Sequence, residues 1–202
     1  MSFIIIVLSF LLIIPAFSAP SLEEFAEKLK PLAQNKTIQA DFTQTRHLED
    51  LDFDMVINGK FAQEAGSRLA WITTKPLHSI CLITPQGMKF WDGETKKTTS
   101  LAADKYPWIQ LIFKLQSQWM NGDLLALKQD FTIEIVDDHS IKLTPLATAI
   151  QMFFKEITVR FNSTFSTVEK VVFREKTDDL ITLIFNNVKN NQPISEKTFQ
   201  IP

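Results

Sequence analysis

The side chains that could do chemistry are few, and their spacing assembles none of the usual sites. His47, His78 and His139 stand far apart, and none has a Cys or second His beside it at metal-ligand spacing. Cys81 is the single cysteine; its apolar flanks Ile80, Leu82 and Ile83 place it in a strand, as a buried thiol and not a nucleophile. Glu49, Asp50, Asp52 and Asp54 crowd together like a calcium loop. Met55 stands where such a loop needs glycine, however, and Phe61 where it needs its closing glutamate. These acids therefore read as a solvated turn entering a strand. There is no G-x-S-x-G, no H-E-x-x-H and no phosphate-cradling glycine loop, and five glycines leave little material for one. The expectation is a protein that is not an enzyme, with no catalytic residue, no metal and no cofactor. Asn35-Lys-Thr and Asn162-Ser-Thr match glycosylation triplets, which also arise by chance in a Thr-rich chain.

What needs explaining is the aromatic content. Seventeen Phe against one Tyr indicate aromatic surface that is dry and not hydrogen-bonded. Trp71 and Trp91 fall on predicted strands, Trp108 and Trp119 on one stripe of a predicted helix. Singly, each is ordinary core. Shared between a sheet face and the helix above it, the set suits a ligand hollow as well as a packed interior.

The elements that would position them can be read from periodicity. Ser21 and Glu24 form a capping box, Leu22, Phe25, Ala26 and Leu29 recur at helical spacing, and Pro31 ends or kinks that helix. From Thr37 to about Ser100 the period becomes two: Ile38, Ala40 and Phe42, then Phe53, Met55, Ile57, Gly59 and Phe61, then Leu69, Trp71 and Thr73. Thr84-Pro-Gln-Gly87 is a type I turn signature, and Asp92-Gly93 signals a hairpin. Trp108, Leu111, Ile112, Leu115 and Trp119 make one apolar helical stripe, and a short helix with Leu124, Leu125 and Leu127 starts at Asp123. Strands resume with Phe131-Ile133-Ile135, Ile141-Leu143, Phe153 with Ile157-Val159-Phe161, Val171-Phe173 and Ile181-Leu183-Phe185.

A large antiparallel sheet with one apolar face must cover that face, and the helices between the strand blocks are the only candidates. Helices cannot flatten a strongly curled sheet. The predicted fold class is therefore mainly β (α+β): an unclosed, curled antiparallel barrel with a helical lid over an apolar cavity.

The formal net charge of −2 and the lack of a basic block exclude a nucleic-acid footprint. The apolar run from Phe3 to Ile14 is too short to span a bilayer, and Ala16-x-Ser18 offers a small-residue cleavage site. Residues 1–18 are thus a predicted signal peptide, cut after Ser18 or Ala19, and residues 19–202 one exported domain. Without internal repeats or a low-complexity linker, one core fits the length, and the expected state is a monomer.

The ordered motifs resemble the periplasmic outer-membrane lipoprotein carrier (LolA) family. Ile38-Gln-Ala-Asp-Phe42-Thr-Gln44 resembles its first strand, and Gly59-Lys-Phe61, Leu69-Ala-Trp71 and Lys75-Pro76 its next hairpin. Ser79-Ile-Cys-Leu-Ile83, Gly87, Leu143-Thr-Pro145, Phe185-Asn-Asn187, Gln192-Pro-Ile194 and Phe199-Gln-Ile-Pro202 follow in the family's order. The resemblance implies a periplasmic carrier that shelters acyl chains of lipoproteins and passes them from an inner-membrane transporter to an outer-membrane receptor. It also implies an apolar cavity and lid formed by Phe42, Phe61, Leu69, Trp71, Phe90, Trp108, Leu111, Ile112, Leu115, Phe153 and Ile157. One departure stands out: the family's Arg-Pro pair before the Leu-x-Trp segment, whose arginine helps hold the lid, is replaced by Glu64-Ala-Gly-Ser67, with Arg68 displaced. A carrier of another lipid, glycolipid or polyketide-like product fits that departure, and a structural envelope protein without cargo is the remaining alternative.

Overall fold

The computed structural model describes residues 21–106, 109–110, 113–115, 118 and 122–202. The predicted signal peptide and Trp108, Leu111, Ile112 and Trp119 lie outside the described residues.

Helix α1 (Leu22–Lys28) opens on the capping box, with Ser21 Oγ accepting from the Glu24 N–H and the Glu24 carboxylate accepting from the Ser21 N–H. Pro31 sits in the first turn of α2 (Lys30–Ala33), where its missing N–H costs nothing, so the chain kinks at Leu29. Phe25, Leu29 and Leu32 are the fully buried face of this pair.

Eleven strands follow. β1 (Thr37–Leu48), β2 (Phe53–Glu64), β3 (Arg68–Lys75), β4 (Ser79–Thr84), β5 (Gly87–Asp92) and β6 (Thr98–Ala102) form a meander. So do β7 (Phe131–Asp137), β8 (Ser140–Pro145), β9 (Phe154–Phe161), β10 (Val168–Glu175) and β11 (Leu180–Asn190). The two halves join where β1 pairs with β11, giving one antiparallel sheet in the order β6-β5-β4-β3-β2-β1-β11-β10-β9-β8-β7. The sheet is curled and stays open, so barrel describes its curvature and not its closure. β6 and β7 are its two edges.

The chain passes from one edge to the other through a segment whose described residues are partly helical. Ile109, Gln110, Phe113, Lys114, Leu115 and Gln118 are helical there, followed by α3 (Leu124–Leu127), capped by Asp123 Oδ1 on the Ala126 N–H. Ile109, Leu115, Leu124 and Leu127 are buried in the same core as the sheet's inner face. A further short helix, α4 (Thr148–Gln151), links β8 to β9.

The predicted turns form where expected. Thr84 and Gly87 flank a two-residue turn, whereas the Asp92-Gly93 hairpin uses a longer loop that Asp92 organises by accepting from the Glu94 and Thr95 N–H groups. Both sequon asparagines serve structure. Asn162 Oδ1 accepts from the Ser166 and Thr167 N–H groups, and Asn35 Nδ2 donates to the Ser166 carbonyl, tying the helical entry to the β9–β10 turn.

Candidate functional site

Strand register decides which residues share a face, because directly paired residues point the same way. Phe42 pairs with Gly59 and Phe185, and Ala40 with Phe61; Phe61 in turn pairs with Trp71, Trp71 with Cys81, and Cys81 with Phe90. On the other half, Leu183 pairs with Val171, Val171 with Val159, and Phe173 with Ile157. All of these lie on the inner face. The result is one apolar surface running across the whole sheet and turned toward the helices.

Its centre is a cluster of four rings. Phe42 lies against Trp71 with centroids 4.2 Å apart, Phe61 meets Trp71 at 5.6 Å, and Phe185 meets both Phe61 and Trp71 edge-on. Gly59 makes this possible. A Cβ there would stand 2.6 Å from the Phe42 ring and closer still to the Ile72 carbonyl oxygen, so the missing side chain is the seat of the Phe42 ring.

Of the residues expected in the cavity and lid, Phe42, Phe61, Leu69, Leu115 and Ile157 are buried in the common core, with Trp71 half-buried against it. Phe90 is half-buried toward the open end. Phe153 is placed differently: it follows α4, its N–H donates to the Ile150 carbonyl, and its side chain is 55% exposed. The neighbouring Phe154 is the residue that packs inward, 5.1 Å from the Phe173 ring. Cys81 lies on the inner face, where burial pushes its thiol up to about 11, so it stays protonated and unreactive at neutral pH.

At one end of the sheet part of the apolar face is left open among the described residues. There, Phe53, Met55 and Ile57 of β2, Thr73 of β3, Leu77 in the β3–β4 loop and Phe90 of β5 line an open groove of ≈ 480 Å³, with Asp92 and Glu94 at its edge. That volume is within the range of small-ligand sites, about 300–1,000 Å³. Phe53 and Leu77 are 55% and 53% exposed, which leaves large apolar area unpartnered. Periodicity singled out Phe53, Met55 and Ile57 as one face of a strand. Leu77 carried no such signal, because it sits in a loop and reaches the groove only through the fold.

The β1–β2 tip beside the groove is held by charge. His47 Nδ1 lies 2.8 Å from Asp54 Oδ1, and that bond raises the His47 pKa above its ordinary value. Arg46 Nη2 donates to Glu175 at 2.6 Å and Asp179 at 3.2 Å, while the Asp179 carboxylate also accepts the Glu49 N–H. The acids that resembled a calcium loop are thus a pinned hairpin tip, and the described residues hold no cluster that could bind a metal ion.

Arg68 has a task of its own. Its guanidinium donates to both carboxylate oxygens of Glu64 (2.7 and 3.0 Å) and both of Glu196 (2.7 and 2.6 Å), and lies 4.1 Å from the Phe199 ring centroid. Arg68 therefore clamps the C-terminal turn Glu196–Phe199 onto the β2–β3 hairpin. Arg68→Ala is expected to speed amide exchange at Lys197, Thr198 and Gln200 about tenfold, since charge-assisted bonds are lost, with little change in global melting. Hydrogen–deuterium exchange resolves the two.

Residues 33–202 match the family model described as "Outer membrane lipoprotein carrier protein LolA". The chain belongs to the LolA family. An outer-membrane lipoprotein carrier protein of Pseudoalteromonas translucida (strain TAC 125) is 21% identical over 188 residues, covering 91% of this chain and 85% of that one. The fold is shared with an uncharacterized conserved protein from Thermus thermophilus, at TM-score 0.54 and 10% identity, over 89% of this chain and 93% of that one. It is shared too with a chain of the Pseudomonas aeruginosa MucA/MucB complex, at TM-score 0.53 and 13% identity, over 87% of this chain and 60% of that chain. LolA is a carrier family and not an enzyme family.

Proposed function

We propose that this protein is a periplasmic carrier that shelters acyl chains of lipoproteins and passes them from the inner to the outer membrane. The observation that carries this reading is the open apolar groove continuous with the ring-lined inner face. The family membership of residues 33–202 supports lipoprotein acyl chains as the class of cargo.

The energetics fit a carrier better than a store. At about 0.8 kcal/mol per buried methylene, a sixteen-carbon chain fully sheltered would gain roughly 12 kcal/mol and hardly leave. In the described residues the ring cluster already fills the middle of the inner face, with Ile109 and Leu115 buried in the same core. Cargo enters at the groove and replaces protein contacts further in, so its net gain is the difference between two sets of apolar contacts. That difference keeps affinity modest and release fast enough for hand-over. A membrane transporter and a receptor supply the two ends of that route.

A second reading is favoured by Arg68. Its guanidinium is engaged by Glu64, Glu196 and Phe199 at the C-terminal turn, a task different from the lid-holding one that the resemblance gives the family's arginine. A lid controlled differently suits a different lipidic cargo, a glycolipid or a polyketide-like product.

Native mass spectrometry of protein isolated from its own cell envelope separates the readings. An adduct that fragments to an acylated peptide supports the first, and a free lipid or glycolipid supports the second. Isolated protein without adduct, whose tryptophan fluorescence also ignores added palmitate, N-palmitoylated peptide and glycolipid, defeats both.

A further inference from the structure

Next to β5, whose Phe90 and Asp92 line the groove, β6 forms a sheet edge whose hydrogen-bonding groups can be assigned one by one. In the β5–β6 ladder the Asp92 N–H donates to the Lys97 carbonyl at 3.0 Å and the Ala103 N–H donates to the Gln86 carbonyl at 2.9 Å. With Phe90 opposite Thr99 and Met88 opposite Leu101, the odd-numbered residues of β6 turn their backbone groups toward β5. Thr98, Ser100 and Ala102 therefore turn theirs to the outer edge, where no described strand pairs with them. The Ala102 carbonyl is taken by the Lys105 and Tyr106 N–H groups. Among the described residues, what stays open is the N–H and C=O of Thr98 and of Ser100, and the N–H of Ala102.

Apart from its shortness, this edge lacks the usual protection. Its sequence, Thr-Thr-Ser-Leu-Ala, has no charge and no proline, and its ladder runs without a register shift. The opposite edge, β7, carries Glu134 and Asp137 and a register shift between Ile135 and Asp137. Among the described residues one edge is guarded and the other left available.

We propose that β6 is the docking strand for the peptide part of an acylated cargo, which adds to the sheet as a further strand while its acyl chain occupies the groove. The inference rests on the carrier reading above and deepens it by naming how the polypeptide is held. Position supports it. Thr98, opposite Trp91, begins β6 at the end of the sheet where Phe90, Asp92 and Glu94 border the groove. A peptide with its acyl group on the first residue then runs parallel to β6, away from the groove and toward Ala102. Backbone pairing reads no side chains, so one carrier accepts many sequences provided the segment is extended and free of proline. A second copy of this chain is a poorer occupant: pairing two five-residue edges buries far less than the ~1,000 Å² that a stable interface needs.

Ser100→Pro tests the assignment. Proline at an edge position whose N–H faces outward leaves the ladder to β5 intact and deletes one docking donor. The probes are palmitate and an N-palmitoylated hexapeptide of alternating serine and alanine. Wild-type protein is expected to bind the lipopeptide about tenfold tighter than palmitate, since several backbone bonds are added. Binding should also protect the Thr98 and Ser100 amides from exchange. In Ser100→Pro the advantage of the lipopeptide should shrink about tenfold while palmitate affinity stays the same. Should that substitution disturb folding, the same lipopeptide N-methylated at alternate residues removes the bonds from the other side, and one of its two methylation registers should lose the same factor on wild-type protein. Unchanged lipopeptide affinity in both experiments, or Thr98 and Ser100 amides that stay unprotected, overturns the docking strand and leaves the groove standing. If palmitate itself does not bind wild-type protein, the carrier reading fails and the docking strand with it.

Discussion

Gly59→Ala is expected to lower the melting temperature by roughly 6–12 °C, the equivalent of about 3 kcal/mol in a domain of this size. The added methyl would collide with the Ile72 carbonyl oxygen and meet the Phe42 ring at 2.6 Å. The ring could swing away, but Phe42 lies against Trp71 at 4.2 Å, and Trp71 touches Phe61 and Phe185, so moving one ring disturbs the other three. The carbonyl belongs to the backbone of β3 and moves only if the β2–β3 pairing opens. These two obstacles can be told apart. Phe42→Leu in the same chain relieves the ring conflict and leaves the carbonyl conflict, so the double variant is expected to melt no higher than Gly59→Ala alone. A double variant restored to the melting temperature of Phe42→Leu by itself would show that the ring alone sets the cost. Thermal denaturation followed by circular dichroism reads all three proteins.

Alternation made most of the sheet legible in the sequence. Period two puts Phe53-Met55-Ile57-Gly59-Phe61 and Leu69-Trp71-Thr73 each on a single face, and the register places each set on the inner one. The signal faded where the inner face turns polar: β1 continues past Phe42 through Gln44 and Arg46, which share the apolar side but break its pattern. It misled at Phe153. That residue has the same parity as Ile157, Val159 and Phe161, but a register shift between Arg174 and Glu175 interrupts the β9–β10 ladder next to it. The last turn of α4 takes Phe153 to the surface and leaves Phe154 to pack.

The groove and the clamp were beyond reach for a different reason. Leu77 joins Phe53 and Phe90 only because the start of β2, the β3–β4 loop and β5 converge at one end of the sheet. Arg68 and Glu196 are 128 positions apart, and nothing local announces their pairing. A pattern read along the chain finds faces, whereas a site made of loop ends and long-range ion pairs appears only once the strands are in register.

Phe53→Asp combined with Leu77→Asp should reduce acyl-chain affinity by about tenfold to a hundredfold, from losing roughly 1.5–3 kcal/mol of apolar contact summed over the two half-exposed side chains. Both residues are more than half exposed and line the groove from separate segments, so the free protein loses little packing when they change. The carboxylates would also meet an acidic border, since Asp54, Asp92 and Glu94 already line the groove. Bound hydrocarbon would then lie against ionised groups deprived of water, a cost that appears only in the complex. Folding and binding thus separate: melting within a few degrees of wild type, and loss of palmitate binding by fluorescence titration. The reverse pattern would place the cargo elsewhere on the inner face. Retained affinity in the double aspartate variant, with Phe61→Ala instead abolishing binding in a folded protein, would mean that the acyl chain bypasses the open groove and reaches the ring cluster by another route.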